Sequence, residues 1–206
     1  MLKKLTISKY NETVYYDKLD NGLEVYMWPQ ANVSNFYATL SVKYGSIDTE
    51  FKIGNKTHQV SKGIAHFLEH VKFNEGPNLT AHDYYNKLGS FINAFTTFDY
   101  TSYEVLAASN LKENITHLLD YVETPYFTKE LIEKERKIIL SEVKMGKNNP
   151  YQVLYYTLNN TIFNSDNRKY YVTGDEDDVK NITLEEINLV YNTFYHPANM
   201  FLVVTG

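Results

Sequence analysis

Gly63-Ile-Ala-His-Phe-Leu-Glu-His70 is the stretch whose residue types and spacing could do chemistry. His66 and His70 are four residues apart, so on a helix one imidazole sits above the other, with Glu69 at the edge of the same face. Two imidazoles at that spacing can close on one metal ion, and a carboxylate beside them can take a proton from water that the ion activates. The glutamate stands next to the second histidine, so the motif is the inverted His-x-x-Glu-His form of a zinc-peptidase helix. The same pattern also arises as two surface histidines and a solvated charge on an ordinary amphipathic helix. The rest of the chain has to decide.

A catalytic zinc takes three protein ligands and keeps one position open. The chain has no cysteine, so the third ligand must be a histidine or a carboxylate. Thr128 to Lys147 reads as one long helix carrying Glu130, Glu133, Glu135 and Glu142. Charge on a long helix is usually a solvated face. Glu135 and Glu142 stand out because they are two turns apart and share a face, with Ile138 and Ile139 between them and near it. Carboxylates bordered by apolar residues tend toward partial burial, and a buried carboxylate needs a cation. Spacing alone leaves both open as ligands.

The elements that must position these groups can be read in order. Thr13–Leu19 and Leu23–Trp28 are strands joined by the turn Asp20-Asn-Gly22, and Asn35–Tyr44 is a third strand, stopped by Gly45. Ser46–His58 reads as an irregular loop. The motif helix spans about Ser61–Phe73 and buries Ile64, Phe67, Leu68 and Val71. Thr80-Ala-His-Asp83 opens a helix that Gly89 ends, and strands follow at Phe91–Thr97 and Tyr100–Ala107. Asn110 caps an amphipathic helix that ends before Pro125; after the long helix, another runs from Tyr151 to about Phe163. Gly174-Asp-Glu-Asp-Asp178 lacks the alternating oxygens of a calcium loop and reads as a solvated loop. Thr183-Leu-Glu-Glu186 is a capping box opening the last helix, to about Tyr195, and Ala198–Thr205 is a closing strand. Irregular alternation with adjacent antiparallel runs gives an α+β class: a mixed, largely antiparallel sheet packed with helices, in one domain over residues 1–206.

Composition narrows the function. A net charge of −5 with no basic cluster argues against nucleic acid and anionic membrane as partners. The absence of cysteine excludes disulfides, thiolate ligands and a cysteine nucleophile. With 19 Tyr and 11 Phe, many rings must be partly buried, and some are expected to line a groove. Lys3-Lys4 is followed by no apolar run, and no window is long enough to span a bilayer, so a cytoplasmic location is expected. The Asn-x-Ser/Thr sequons, such as Asn55-Lys-Thr57, then reflect only composition.

The motif, followed by Asn93-Ala-Phe-Thr96 and Thr101-Ser-Tyr103, resembles the pitrilysin-type metallopeptidases, which include insulysin and the mitochondrial processing peptidases. Glu133-Lys-Glu-Arg-Lys-Ile-Ile-Leu-Ser-Glu142, Tyr195-His-Pro-Ala-Asn-Met200 and Leu202-Val-Val-Thr-Gly206 extend the resemblance over nearly the whole chain from about Asp20. It is nearest to small bacterial members. The resemblance implies one zinc per chain on His66, His70 and Glu142, with Glu69 as general base. It implies that Glu135 supports the site by hydrogen-bonding a ligand histidine. The strand bearing Asn93, Ala94, Phe95 and Thr96 is then the edge on which an extended peptide pairs. The implied reaction is endopeptidase hydrolysis of unstructured segments. The implied partner is a second homologous half-domain or subunit, which in the family supplies an Arg and a Tyr at the zinc; Tyr103 or another tyrosine is the candidate substitute donor here. S-ribosylhomocysteinase shares the inverted motif and resembles the fold, but its dependence on cysteine excludes it. A metal-binding but non-catalytic subunit that holds peptide, and a metal-free interaction domain, are the alternatives.

Overall fold

The computed structural model describes residues 2–10 and 12–206. β1 (Lys3–Ile7), β2 (Glu12–Lys18) and β3 (Glu24–Trp28) form an antiparallel meander. The residue pattern does not predict β1, because all five of its residues are exposed and only pairing to β2 defines it. β4 (Phe36–Val42) follows, and then β5 (Glu50–Ile53) and β6 (Lys56–Gln59) make a hairpin where a loop is expected. The hairpin has little apolar alternation. It is held from outside, by Phe51 packed edge-on against Phe194 with ring centroids 4.9 Å apart.

α1 (Ile64–Lys72) is the motif helix. The short pair β7 (Asn74–Gly76) and β8 (Leu79–Thr80) leads into α2 (Ala81–Leu88), where Thr80 and Asp83 form a capping box and Gly89 ends the helix in the left-handed region. β9 (Phe91–Thr96) and β10 (Thr101–Ala107) are antiparallel neighbours. In α3 (Leu111–Glu123), Asn110 holds the N-cap position but its side chain does not cap; instead Asn114 Nδ2 donates to the carbonyls of Ser109 and Asn110. α4 (Lys129–Asn148) is capped by Thr128, and α5 (Pro150–Ile162) by Asn149. The acidic run predicted as a loop opens α6 (Glu176–Asn181) instead. Asp175 and Asp178 form its capping box, so the carboxylates sit at the positive end of a helix. α7 (Leu184–Phe194) starts at the Thr183/Glu186 capping box, and β11 (Met200–Thr205) completes the sheet.

The main sheet runs β1-β2-β3-β11-β4-β10-β9, antiparallel except where β11 pairs parallel with β3. Ala38, Leu40 and Val42 share one face with Tyr103 and Val105 and are buried on the side covered by α1 and α3, with α7 packed against α1. The alternate residues, among them Tyr37, Glu104 and Leu106, lie on the open face. This is the mixed, largely antiparallel α+β arrangement expected. β9 is an edge strand, and among the described residues no helix is long and apolar enough to cross a membrane.

Candidate metal centre and active site

α1 begins abruptly at Gly63, whose φ of 79° is in the left-handed region, and a side chain there would collide with the carbonyl of Thr173. The helix then buries Phe67, Leu68 and Val71, which turns His66, Glu69 and His70 toward α4 and β9. α4 is anchored through buried Ile132, Ile139 and Val143, and it brings Glu135 and Glu142 to the histidines. Ile138, by contrast, is exposed.

Oε2 of Glu142 lies 3.7 Å from His66 Nε2 and 3.4 Å from His70 Nε2. One ligand atom from each of the three residues falls within 4.8 Å of the others, the only such cluster of three or more among the described residues. Around an ion about 2.0–2.2 Å from nitrogen and oxygen, tetrahedral edges are about 3.3–3.6 Å long, so these separations suit zinc with little adjustment. The donor set, two imidazoles and a carboxylate without sulfur, also suits it.

Protonation is divided between the histidines. Burial, with the charge of His70 beside it, lowers His66 to about 4 despite Glu142, so its lone pair is free at neutral pH. Its Nδ1 is buried without a hydrogen-bond partner among the described residues, leaving Nε2 as the atom that meets the site. Burial also pulls His70 down, but Glu135 and Glu142 outweigh it and raise the group to about 9. Glu142 is correspondingly lowered, first by its bond to His70.

Glu135 is buried behind His70, 3.6 Å from its Nδ1, and receives a 3.4 Å hydrogen bond from Asn74 Nδ2. It faces Nδ1 of the ring, whereas Glu142 faces Nε2. Glu69 is 7% exposed, and burial raises its pKa against the opposing hydrogen bond from Thr96 Oγ1 at 2.7 Å. That bond has no signal in the spacing of the chain, since Thr96 sits on another element.

Two cavities flank Glu69. One of about 480 Å³ is lined by His66, Ala94, Phe95, Thr96 and the rings of Tyr155, Tyr156 and Tyr171. The other, about 370 Å³, is lined by His70, His82, Asn93 and Glu135. The four residues Asn93 to Thr96 therefore run past both, although the Asn93 side chain bonds Glu104, 3.1 Å away. Tyr103 is not available as a donor: it is fully buried, with its hydroxyl 2.9 Å from that of Tyr195. The tyrosines at the site come from α5 and the segment after it, which the sequence pattern does not connect to the motif.

Comparison with known proteins agrees with this geometry. Residues 35–176 match the family described as Insulinase (Peptidase family M16). The chain is 37% identical over 208 residues to the uncharacterized zinc protease YmfH of Bacillus subtilis (strain 168), covering 100% of this chain and 48% of that protein. It superposes on the crystal structure of an M16-like peptidase from Alicyclobacillus acidocaldarius with a TM-score of 0.89 at 34% identity, over 94% of this chain and 45% of that one. A peptidase M16 inactive domain from Pseudomonas fluorescens has a TM-score of 0.79 at 16% identity over 94% of this chain and 46% of that one, a likeness of fold alone. The chain spans about half the length of the relatives it matches. With its family segment matched and its inverted motif on α1 facing Glu142, the chain belongs to the insulinase family of zinc peptidases, peptidase family M16.

Proposed function

We propose that residues 1–206 form the zinc-bearing domain of a two-half endopeptidase that cleaves unstructured peptide segments. The observation that carries the reading is the convergence of His66 Nε2, His70 Nε2 and Glu142 Oε2 beside a buried Glu69 at a sheet edge. His66, His70 and Glu142 would hold one zinc, which would supply Lewis acidity near neutral pH. Glu69 is placed to take the proton from an attacking water and return it to the leaving amine. Glu135 holds His70 from its Nδ1 side, as carboxylates behind ligand histidines do. The edge of β9 around Asn93, Ala94, Phe95 and Thr96 pairs with the peptide backbone, which only an extended segment can offer.

The charge that develops on the scissile carbonyl needs donors as well. Tyr103 is committed to Tyr195, which leaves Tyr155, Tyr156 and Tyr171 as the tyrosines beside Glu69; our reading is that a second half-domain or subunit supplies the remaining donors. The test uses the protein with its second half, zinc-loaded, on a quenched unstructured peptide. Glu69→Gln should retain metal and lose about two to four orders of magnitude in turnover. The 206-residue chain alone should fall short by about 10²–10³ for each missing donor. Near-normal turnover of the Gln variant would rule out Glu69 as the base, and full turnover by the isolated chain would remove the need for a second half. Zinc without any Glu69-dependent hydrolysis would favour the non-catalytic, peptide-holding alternative.

A further inference from the structure

Thr96 has a role beyond lending its backbone to the sheet edge. Its Oγ1 donates the 2.7 Å hydrogen bond to Oε2 of Glu69, the one side-chain hydrogen bond to that carboxylate among the described residues. The hydroxyl is carried on a stiff support. A β-branched side chain has restricted χ1, and Thr96 pairs with Thr101, whose own Oγ1 is tied to Tyr44 O at 3.0 Å. Directly after it the turn is closed, with Thr97 N–H donating to Tyr100 O at 2.8 Å and Thr97 Oγ1 to the same carbonyl at 2.9 Å. Glu69 itself sits on a helix whose neighbours Phe67 and Leu68 are fully buried, so its backbone is fixed while its side chain has rotatable bonds.

Granting the peptidase reading, we propose that Thr96 is a positioning residue for Glu69. It pins one carboxylate oxygen to the substrate edge and leaves Oε1 to exchange the proton. The strand that pairs with the peptide and the group that orients the base are then one piece of chain. A peptide seated on β9 is thereby linked to the carboxylate of Glu69 through the Thr96 hydroxyl, on top of the packing of α1 against β9.

The test compares Thr96→Val, which keeps shape and branching but not the hydroxyl, with Thr96→Ser, which keeps the hydroxyl. Both are made in the two-half protein. Thr96→Val should lower kcat about 10–100-fold with KM changed by less than about twofold, and Thr96→Ser should recover most of the loss. Zinc affinity, read by chelator competition without any assay of activity, should be unchanged in both. In a Glu69→Gln background Thr96→Val should cost nothing further, because the hydroxyl acts only through that carboxylate. Should the valine variant not fold, Thr96→Ala carries the same comparison. A raised KM with kcat intact, full activity without the hydroxyl, or additive loss in the double variant each overturns the proposal. These differ from failure of the peptidase reading, in which wild-type turnover is absent or indifferent to Glu69→Gln, and which overturns both.

Discussion

Nε2 of His70 and Oε2 of Glu142 stand 3.4 Å apart although they belong to different helices, α1 and α4. A carboxylate that bridges to a second imidazole at 3.7 Å is placed to share an ion with both. Changing both histidines, His66→Ala and His70→Ala, should abolish stoichiometric zinc binding and lower the melting temperature of the zinc-loaded protein toward that of the metal-free one. Elemental analysis after dialysis decides it. Full zinc in the double variant would place the metal elsewhere.

Glu142 and Glu135 should separate in a side-by-side titration. Glu142→Gln removes a ligand and its charge, whereas Glu135→Gln weakens only the support behind His70, for which about 10–100-fold in affinity is typical. The larger loss is therefore expected at Glu142. The reverse order would make Glu135 the ligand.

Zinc affinity should rise with pH across the neutral range. Metal-free His70 keeps its proton up to about 9, and binding through Nε2 requires that proton to leave. His66, at about 4, is already neutral. Between those two values affinity should therefore climb by about tenfold per pH unit and level off above the higher one. Titration calorimetry in buffers of different ionisation enthalpy should show about one proton released per zinc at pH ~7. Binding without proton release would mean that His70 is neutral in the free protein.

Lys72 gives the fold its own pH dependence. Its Nζ is buried and donates at 2.6 Å to Thr124 O, just past the end of α3. Burial lowers it from 10.5 to about 7, against the attraction of Glu75. The unfolded chain thus binds a proton that the folded chain gives up. Stability from this group rises with pH between 7 and 10.5, by at most about 1.4 kcal/mol per unit. Urea unfolding of the metal-free protein at several pH values should show the slope, and Lys72→Met should flatten it. An unchanged slope in the variant would assign the dependence to other groups.

The motif helix, the capping boxes at Thr80 and Thr183 and the strands Phe91–Thr96 and Thr101–Ala107 were legible because each is written in local residues. What was not legible depends on partners distant in sequence. The β5–β6 hairpin rests on Phe51 meeting Phe194, and β1 exists through its pairing with β2. Asp175 and Asp178 make a capping box, yet in sequence they look like any acidic run. At the site, seven-residue spacing puts Glu135 and Glu142 on one face of α4 but cannot say which side of the His70 ring each will meet. Docking against α1 settles that, giving Glu142 the Nε2 atoms and Glu135 the Nδ1 atom. The tyrosines beside Glu69 and the Thr96 bond likewise appear only once α5 and β9 are in place.

β11 lies between β3 and β4, and among the described residues it is the sole strand joining the meander β1–β3 to the rest of the sheet. As the chain leaves the ribosome, β1 to β3 are made early, and the edge of β3 has no neighbour until Met200–Thr205 follow. Until then that edge presents unpaired backbone groups together with Tyr26 and Trp28, the kind of surface on which nascent chains stick to one another. Arrest before residue 200 therefore leaves a helix bearing both histidines and all its neighbours from β4 to α7, beside a sheet that cannot yet close.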